Sequence, residues 1–160
     1  MRKATEAMRQ NTSVLLESQK PKIAAKPHGN PTNDLADRNC PRVQIEIYNR
    51  GQSAAYDLVY ESWIELLPFP FVDFTPSADH HKASEGKVLN PNHTPITINI
   101  PKRKGITDQQ LSDLKQLRLY ACIRVRVEYR DAFSTNRYAE FGYCVMANGL
   151  GFLPKYNDAN

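Results

Sequence analysis

From Leu117 to Tyr129 the chain alternates without a slip. Leu119, Ala121, Ile123, Val125, Val127 and Tyr129 share one parity, and Tyr120, Cys122, Arg124, Arg126 and Glu128 share the other. A period of two sends successive side chains to opposite faces of an extended backbone, so the run predicts a strand with one face in a core and one face turned outward. The return strand carries Ala139, Phe141, Tyr143 and Val145, and RDAFSTN between them has turn chemistry. With the loop centred on Phe133, Arg126 faces Glu140 and Cys122 faces Cys144. Opposite charges then meet across the strands, which supports that register.

The same period recurs upstream. Val43, Ile45 and Ile47 alternate with Gln44, Glu46 and Tyr48, and Ile96, Ile98 and Ile100 mark a strand from Thr94. Tyr56, Leu58, Tyr60, Ile64 and Leu66 are expected inward, which puts Trp63 on the polar face unless a bulge slips the register by one and reverses every side chain beyond it. Between the strands, Thr107 followed by Gln110 has capping-box spacing, and Leu111 and Leu114 complete a short helix. Starts near Lys22, Val43, Ala54, Lys87, Thr94, Leu117 and Arg137 give about seven strands and one crossover helix, the inventory of an immunoglobulin-like β-sandwich. Connection length argues against a parallel α/β fold, since most connections are too short to hold a covering helix.

The strands occupy residues 42–148, with 149–160 as a C-terminal tail. Residues 1–20 read as a helix in which Met1, Ala4, Met8, Asn11 and Leu15 recur at spacings of three and four, the seam of a short coiled coil. Residues 21–41, rich in Pro, Asn and charge, form a linker that becomes a first strand. The 67–93 excursion is long for a compact domain, so it is expected to pack on its own side chains or to serve a function. The turn NRGQSAAYD joins two strands: Gly51 is expected to supply a positive φ, Asn49 and Ser53 to bond the local backbone, and Ala54 and Ala55 to permit close approach.

Charge narrows the partners. Residues 1–39 hold seven Lys/Arg against four Asp/Glu, whereas residues 40–160 hold fourteen against thirteen. A nearly neutral folded part argues against nucleic acid, which is gripped by concentrated cations. Lys102-Arg103-Lys104 reads as a solubilising loop. Cys40, Cys122 and Cys144 match no finger or CxxC spacing, so free thiols in a reducing compartment are expected, with Cys122 and Cys144 able to join under oxidant. No run approaches the roughly 18 apolar residues of a spanning helix, and the first twenty lack the apolar block of an export signal. The chain is therefore expected to stay in the cytoplasm, reaching a membrane only through an anchor further upstream.

Catalytic signals are sparse. His80 and His81 beside Asp79 have the chemistry of zinc ligands and carry the alternative reading, a metal-dependent enzyme or small-ligand binder built on the 67–93 loop. Neighbouring histidines do not easily point at one ion. No GxSxG, GxGxxG or GxxxxGK[ST] occurs. Glu61 and Glu65, four apart on one strand face, stand about 13 Å apart, too far to flank one glycosidic bond. A non-enzymatic module with no cofactor is the expectation. Its partner surfaces are Trp63, Tyr120, Arg124, Arg126 and Tyr138 on the outer sheet face, an aromatic and arginine set of the kind enriched at hot spots. Met1, Ala4, Met8 and Leu15 are the residues for self-association.

The order of NRGQSAAYD, LNPNHT at 89–94, the Leu-containing helix and YRDAF at 129–133 resembles a group of uncharacterised bacterial proteins. In that group a membrane-spanning helix, a short helical coil similar to Ala4–Met8 through Leu15–Pro21, and a β-sandwich follow one another. The resemblance implies the fold and no activity, and this chain departs from it in having no spanning helix. More loosely, the Asn-x-Gly turn followed by small residues is similar to bacterial adhesion-type immunoglobulin-like domains. The resulting expectation is a protein-binding or structural module that binds a protein partner or itself, and that lies close to a membrane where an upstream anchor holds it there.

Overall fold

The computed structural model describes residues 2–29, 35, 42–68, 80–84, 86–102, 105–146, 149–153 and 157–159. Helix α1 spans Arg2–Ser18. Strands β1 (Ile23–His28), β2 (Arg42–Asn49), β3 (Tyr56–Pro68), β4 (His81–Ser84) and β5 (Ile96–Pro101) follow. Helix α2 (Asp108–Lys115) then leads to β6 (Leu119–Arg130), β7 (Asn136–Met146), β8 (Gly149–Phe152) and β9 (Asp158–Ala159). Two antiparallel sheets result. One has the order β1-β2-β5, the other β4-β3-β6-β7-β8 with β9 also on β7.

The chain is thus mainly β and fits a β-sandwich, and the alternating aliphatics explain why. Val43, Ile45, Ile47, Ile98 and Ile100 of the first sheet meet Ile123, Val125 and Val127 of the second, all at most 1% exposed. A strand that is apolar at every second residue loses that surface to water unless another sheet covers it, and each fully buried aliphatic contributes roughly 1.5–3 kcal/mol. A polar tie crosses between the layers: the Tyr143 hydroxyl donates to the Ala25 carbonyl at 2.7 Å. Burial pushes the Tyr143 phenol up to about 12. Pro27 lies in β1, an edge strand, where its missing N–H disturbs no inner ladder.

The β6–β7 register is the one the alternation predicts, with Cys122 opposite Cys144 and Arg126 opposite Glu140. The ion pair forms on the diagonal instead, between Arg124 and Glu140. Helix α2 opens with both halves of its capping box: Gln110 N–H donates to Thr107 Oγ1 at 3.1 Å, and Thr107 N–H to Gln110 Oε1 at 3.0 Å.

Four details differ from expectation. First, no strand starts at Lys87. Leu89 makes an isolated bridge to Ala55 and is sunk in the core at 2% exposure, while the fourth strand is His81–Ser84, paired to β3. Second, Tyr56 is not inward. A bulge between Tyr56 and Val59, with Asp57 at φ 54°, sets Tyr56 opposite Arg130 on the outer face. Third, the stretch expected as a tail contributes two strands among its described residues, since β8 and β9 extend the second sheet along the β7 edge. Fourth, Gly51 does not have a positive φ. Its hydrogen is needed for space, since a Cβ there would overlap the backbone of Lys20, Pro21 and Lys22, with Pro21 Cα at 2.7 Å.

The β6–β7 loop closes on a buried carboxylate. Asp131 Oδ1 accepts from the N–H groups of Phe133 (2.8 Å) and Thr135 (2.9 Å), and Oδ2 accepts from Arg137 Nε at 3.1 Å. Burial opposes ionisation, but the Thr135 N–H, the Arg137 guanidinium and the Phe133 N–H outweigh it and hold the carboxyl below its ordinary range. A lowered folded-state pKa stabilises the fold above the unfolded value of about 3.9, and that stabilisation is lost as pH falls through the folded value. Asp131→Asn is therefore expected to cost roughly 1–3 kcal/mol at pH 7. Its urea midpoint should change less than the wild type's between pH 6 and pH 3, and parallel curves for the two proteins would refute the assignment.

Candidate functional site

Two surfaces contain the residues that the sequence marks for partners. The first is α1. Every described side chain from Thr5 to Ser18 is exposed, with Met8 at 73% and Leu15 at 61%. Val14 and Leu16 join them in the open. Met1 and the side chain of Ala4 lie outside the described residues. The helix satisfies its own hydroxyls, as Thr12 donates to the Met8 carbonyl at 2.8 Å and Ser18 to that of Leu15 at 2.7 Å. Among the described residues, nothing of the sandwich covers its apolar side chains from Ala7 to Leu16.

Numbering heptads with Met1 at position a places Ala4 and Asn11 at d and Met8 and Leu15 at a. Arg2, Lys3, Glu6, Arg9, Glu17 and Lys20 then fall only at b, c or f, the positions that face away from a seam. The flanking e and g positions hold Thr5, Ala7, Thr12 and Val14, none of them charged. Two copies laid along this stripe bring no like charges together.

The second surface is the outer face of the larger sheet. Trp63 lies there, as its parity predicts, but it is 9% exposed and belongs to a satellite cluster with Cys122, Cys144 and Leu153. Tyr120 is half-buried against the same cluster. The His80 ring lies 5.7 Å from the Trp63 ring, and the Arg124 guanidinium stands 5.1 Å from its centroid. Arg126 stacks over Tyr138 at 4.6 Å and donates to Glu128 at 3.0 Å. The five residues therefore share one face, with Trp63 and Tyr120 packed within it and Arg126 and Tyr138 nearer to solvent.

Beside Tyr138 runs a cleft of about 380 Å³ lined in part by Asp57, Val59, Arg126, Arg130 and Arg137. Each arginine there has a carboxylate: Arg126 has Glu128 at 3.0 Å, Arg130 has Asp57 at 2.7 Å and Arg137 has Asp131 at 3.1 Å. Its charge is matched internally, so its geometry points to packing and not to a bound anion.

The histidine pair does not converge. His80 lies against Trp63 on the outer face, whereas His81, opposite Ser62, lies 6.1 Å from the Tyr60 ring on the inner side. Strand alternation separates two consecutive imidazoles in this way. Asp79 lies outside the described residues. Among the described residues, no group of three or more His, Cys, Asp or Glu side chains is arranged to hold a metal ion. In the same set, no helix is long and apolar enough to cross a membrane.

Asn49 is the residue whose role the sequence understates. It is 3% exposed and makes four side-chain hydrogen bonds. Its Oδ1 accepts from Gly51 N (2.8 Å) and Lys22 N (3.1 Å), and its Nδ2 donates to Ser53 O (2.7 Å) and Leu89 O (3.0 Å). A polar turn residue signals local bonding; its reach to β1 and to Leu89 exists only in the fold. No protein-family model, curated protein or solved structure matches the chain.

Proposed function

We propose that this chain is a non-catalytic immunoglobulin-like interaction module that self-associates through α1. The sandwich wiring supports the first part. In an immunoglobulin constant-type domain strands A, B, E and D form one sheet and C, F and G the other. Taking β1, β2 and β5 as A, B and E, and β3, β6 and β7 as C, F and G, gives the same strand neighbours, with β4 moved from beside E to beside C and β8 and β9 added at the β7 edge. The Trp of strand C and the Cys of strand F that pack between the sheets in antibody domains have counterparts in type at Trp63 and Cys122, on the opposite face.

The observation that carries the second part is the uncovered stripe of α1, with charges confined to the outward heptad positions. An isolated helix of 17 residues is marginal in water, so a second copy gives it both a partner for Met8 and Leu15 and a reason to stay folded. The module works with Cys122 and Cys144 as thiols in a reducing, cytoplasmic setting, and its partner is protein.

Sedimentation velocity tests this reading. The full chain is expected to associate with rising concentration. Met8→Glu combined with Leu15→Glu should weaken association at least about 100-fold, or about 2.7 kcal/mol, while thermal unfolding of the sandwich stays unchanged. A full chain that remains monomeric across the accessible concentration range removes the proposal.

A further inference from the structure

We infer that Cys122 and Cys144 form a reversible dithiol–disulfide couple, oxidised by low-molecular-weight disulfides, that staples β6 to β7 under the C-terminal segment. The two residues sit directly opposite each other in the antiparallel ladder, and their sulfurs are 3.0 Å apart as free thiols. Directly opposed residues of such a ladder have Cα atoms roughly 4.5–5.5 Å apart, inside the roughly 4.4–6.8 Å that a disulfide spans. Bond formation therefore asks for side-chain rotation and no rearrangement of the strands.

The surroundings differ from those of an inert core thiol. The pair lies on the outer face, apart from the main core, in the cluster with Trp63 and Leu153. Cys144 keeps 5% exposure and Cys122 none. On the β8 side the residue opposite Cys144 is Gly151, which brings no side chain across the sulfur. Leu153 of that cluster is held by its N–H to the Gly142 carbonyl at 2.9 Å, just beyond a four-residue edge strand. Short edge strands open locally far more readily than a central ladder, so the segment packed with the thiols is also the first to lift.

The two thiols are also unequal. A hydrogen bond from Cys122 lowers the Cys144 pKa against the opposing effect of burial, while the same bond and burial push Cys122 up. Cys144 is the attacking sulfur. Its thiolate displaces one thiolate from the disulfide RSSR and becomes a mixed disulfide with R. The Cys122 sulfur, giving up its proton, then attacks Cys144 Sγ, forms the intramolecular bond and expels the second RS⁻. The two cysteines lose two electrons, RSSR becomes two RSH, and the protons end on the released thiols.

The test uses the full chain carrying Cys40→Ser, oxidised glutathione as the probe, and Trp63 as reporter, because it is the chain's single tryptophan and lies against the pair. After oxidation, acid quench, unfolding and alkylation, the expected protein has no alkylatable thiol, carries no glutathione, and yields a Cys122–Cys144 linked peptide. Trp63 emission should fall, and dithiothreitol should restore both emission and thiols. In that background Cys122→Ser should accumulate one glutathione at Cys144, and Cys144→Ser should take up none. Two thiols still alkylatable at equilibrium with oxidised glutathione, or a glutathione adduct that never resolves in the Cys40→Ser chain, overturn the proposal. Those two readings come from the chain with both cysteines present, so they stand even if a serine variant fails to fold.

Discussion

Replacing Asn49 by alanine is expected to lower stability by about 2–4 kcal/mol, a large share of the roughly 5–15 kcal/mol available to a domain. The amide uses all of its capacity, with two bonds accepted by Oδ1 and two donated by Nδ2. Truncation leaves the buried Gly51 N–H without its acceptor and cuts the tie from β2 to Lys22, at the entry of β1. Leu89 O retains Ala55 N–H at 3.1 Å, so that end loses less. Asn49→Asp separates shape from hydrogen bonding. It keeps the volume and the acceptor but sets a carboxylate against the Ser53 and Leu89 carbonyls, where only donors fit. Those carbonyls should raise its pKa, so its folded form should be relatively stabilised in acid and lose that stability as pH rises. Urea unfolding at pH 7 and pH 4.5 measures this, and an Asp variant as stable as the wild type at pH 7 would falsify the assigned network.

Gly51→Ala should cost about 3 kcal/mol, and Gly51→Val at least as much, which for a chain of this size means a Tm lower by roughly 6–12 °C. The added carbon meets main-chain atoms of Lys20, Pro21 and Lys22, which cannot rotate aside as a side chain can. Relief requires this connection between α1 and β1 to lift, and with it the Arg50 N–H bond to Lys22 O at 2.8 Å. Gly51→Asn distinguishes the cause. Asparagine tolerates a left-handed backbone better than most residues, so it would be mild if φ were the constraint. With space as the constraint it should be as harmful as alanine, and a thermal melt showing Asn near wild type sinks that account.

The parts of this fold that could be read in advance rest on local repetition. Alternation from Leu119 to Tyr129 identifies the buried face, and the turn at 131–135 pairs Cys122 with Cys144 before any tertiary contact is known. The Thr107–Gln110 box is equally local. Errors occur where one residue shifts a count or where a distant segment supplies the environment. The Asp57 bulge reverses Tyr56, and nothing in TyrAspLeuVal announces it. Leu89 sits in a stretch that reads as a strand, yet it is spent as a single plug in the core, with Lys87 and Val88 left outside.

The candidate surfaces divide in the same way. The α1 stripe is legible because helical spacing belongs to the helix itself, and the structure adds that Met8 and Leu15 stand exposed. Trp63, by contrast, reads as an outward anchor and is in fact packed in one buried cluster with Leu153, a residue 90 positions away whose place depends on β8 reaching the β7 edge. The order of side chains along the chain determined β2, β5, β6 and β7, their inward faces and the opposition of the two cysteines, because each follows from a repeat of two or a turn of known length. Only the folded structure decided that Asn49 bridges three segments, that Gly51 must yield its space to Lys20–Lys22, and that the outer cysteines are covered, because those depend on which distant backbone arrives at a given point and how closely.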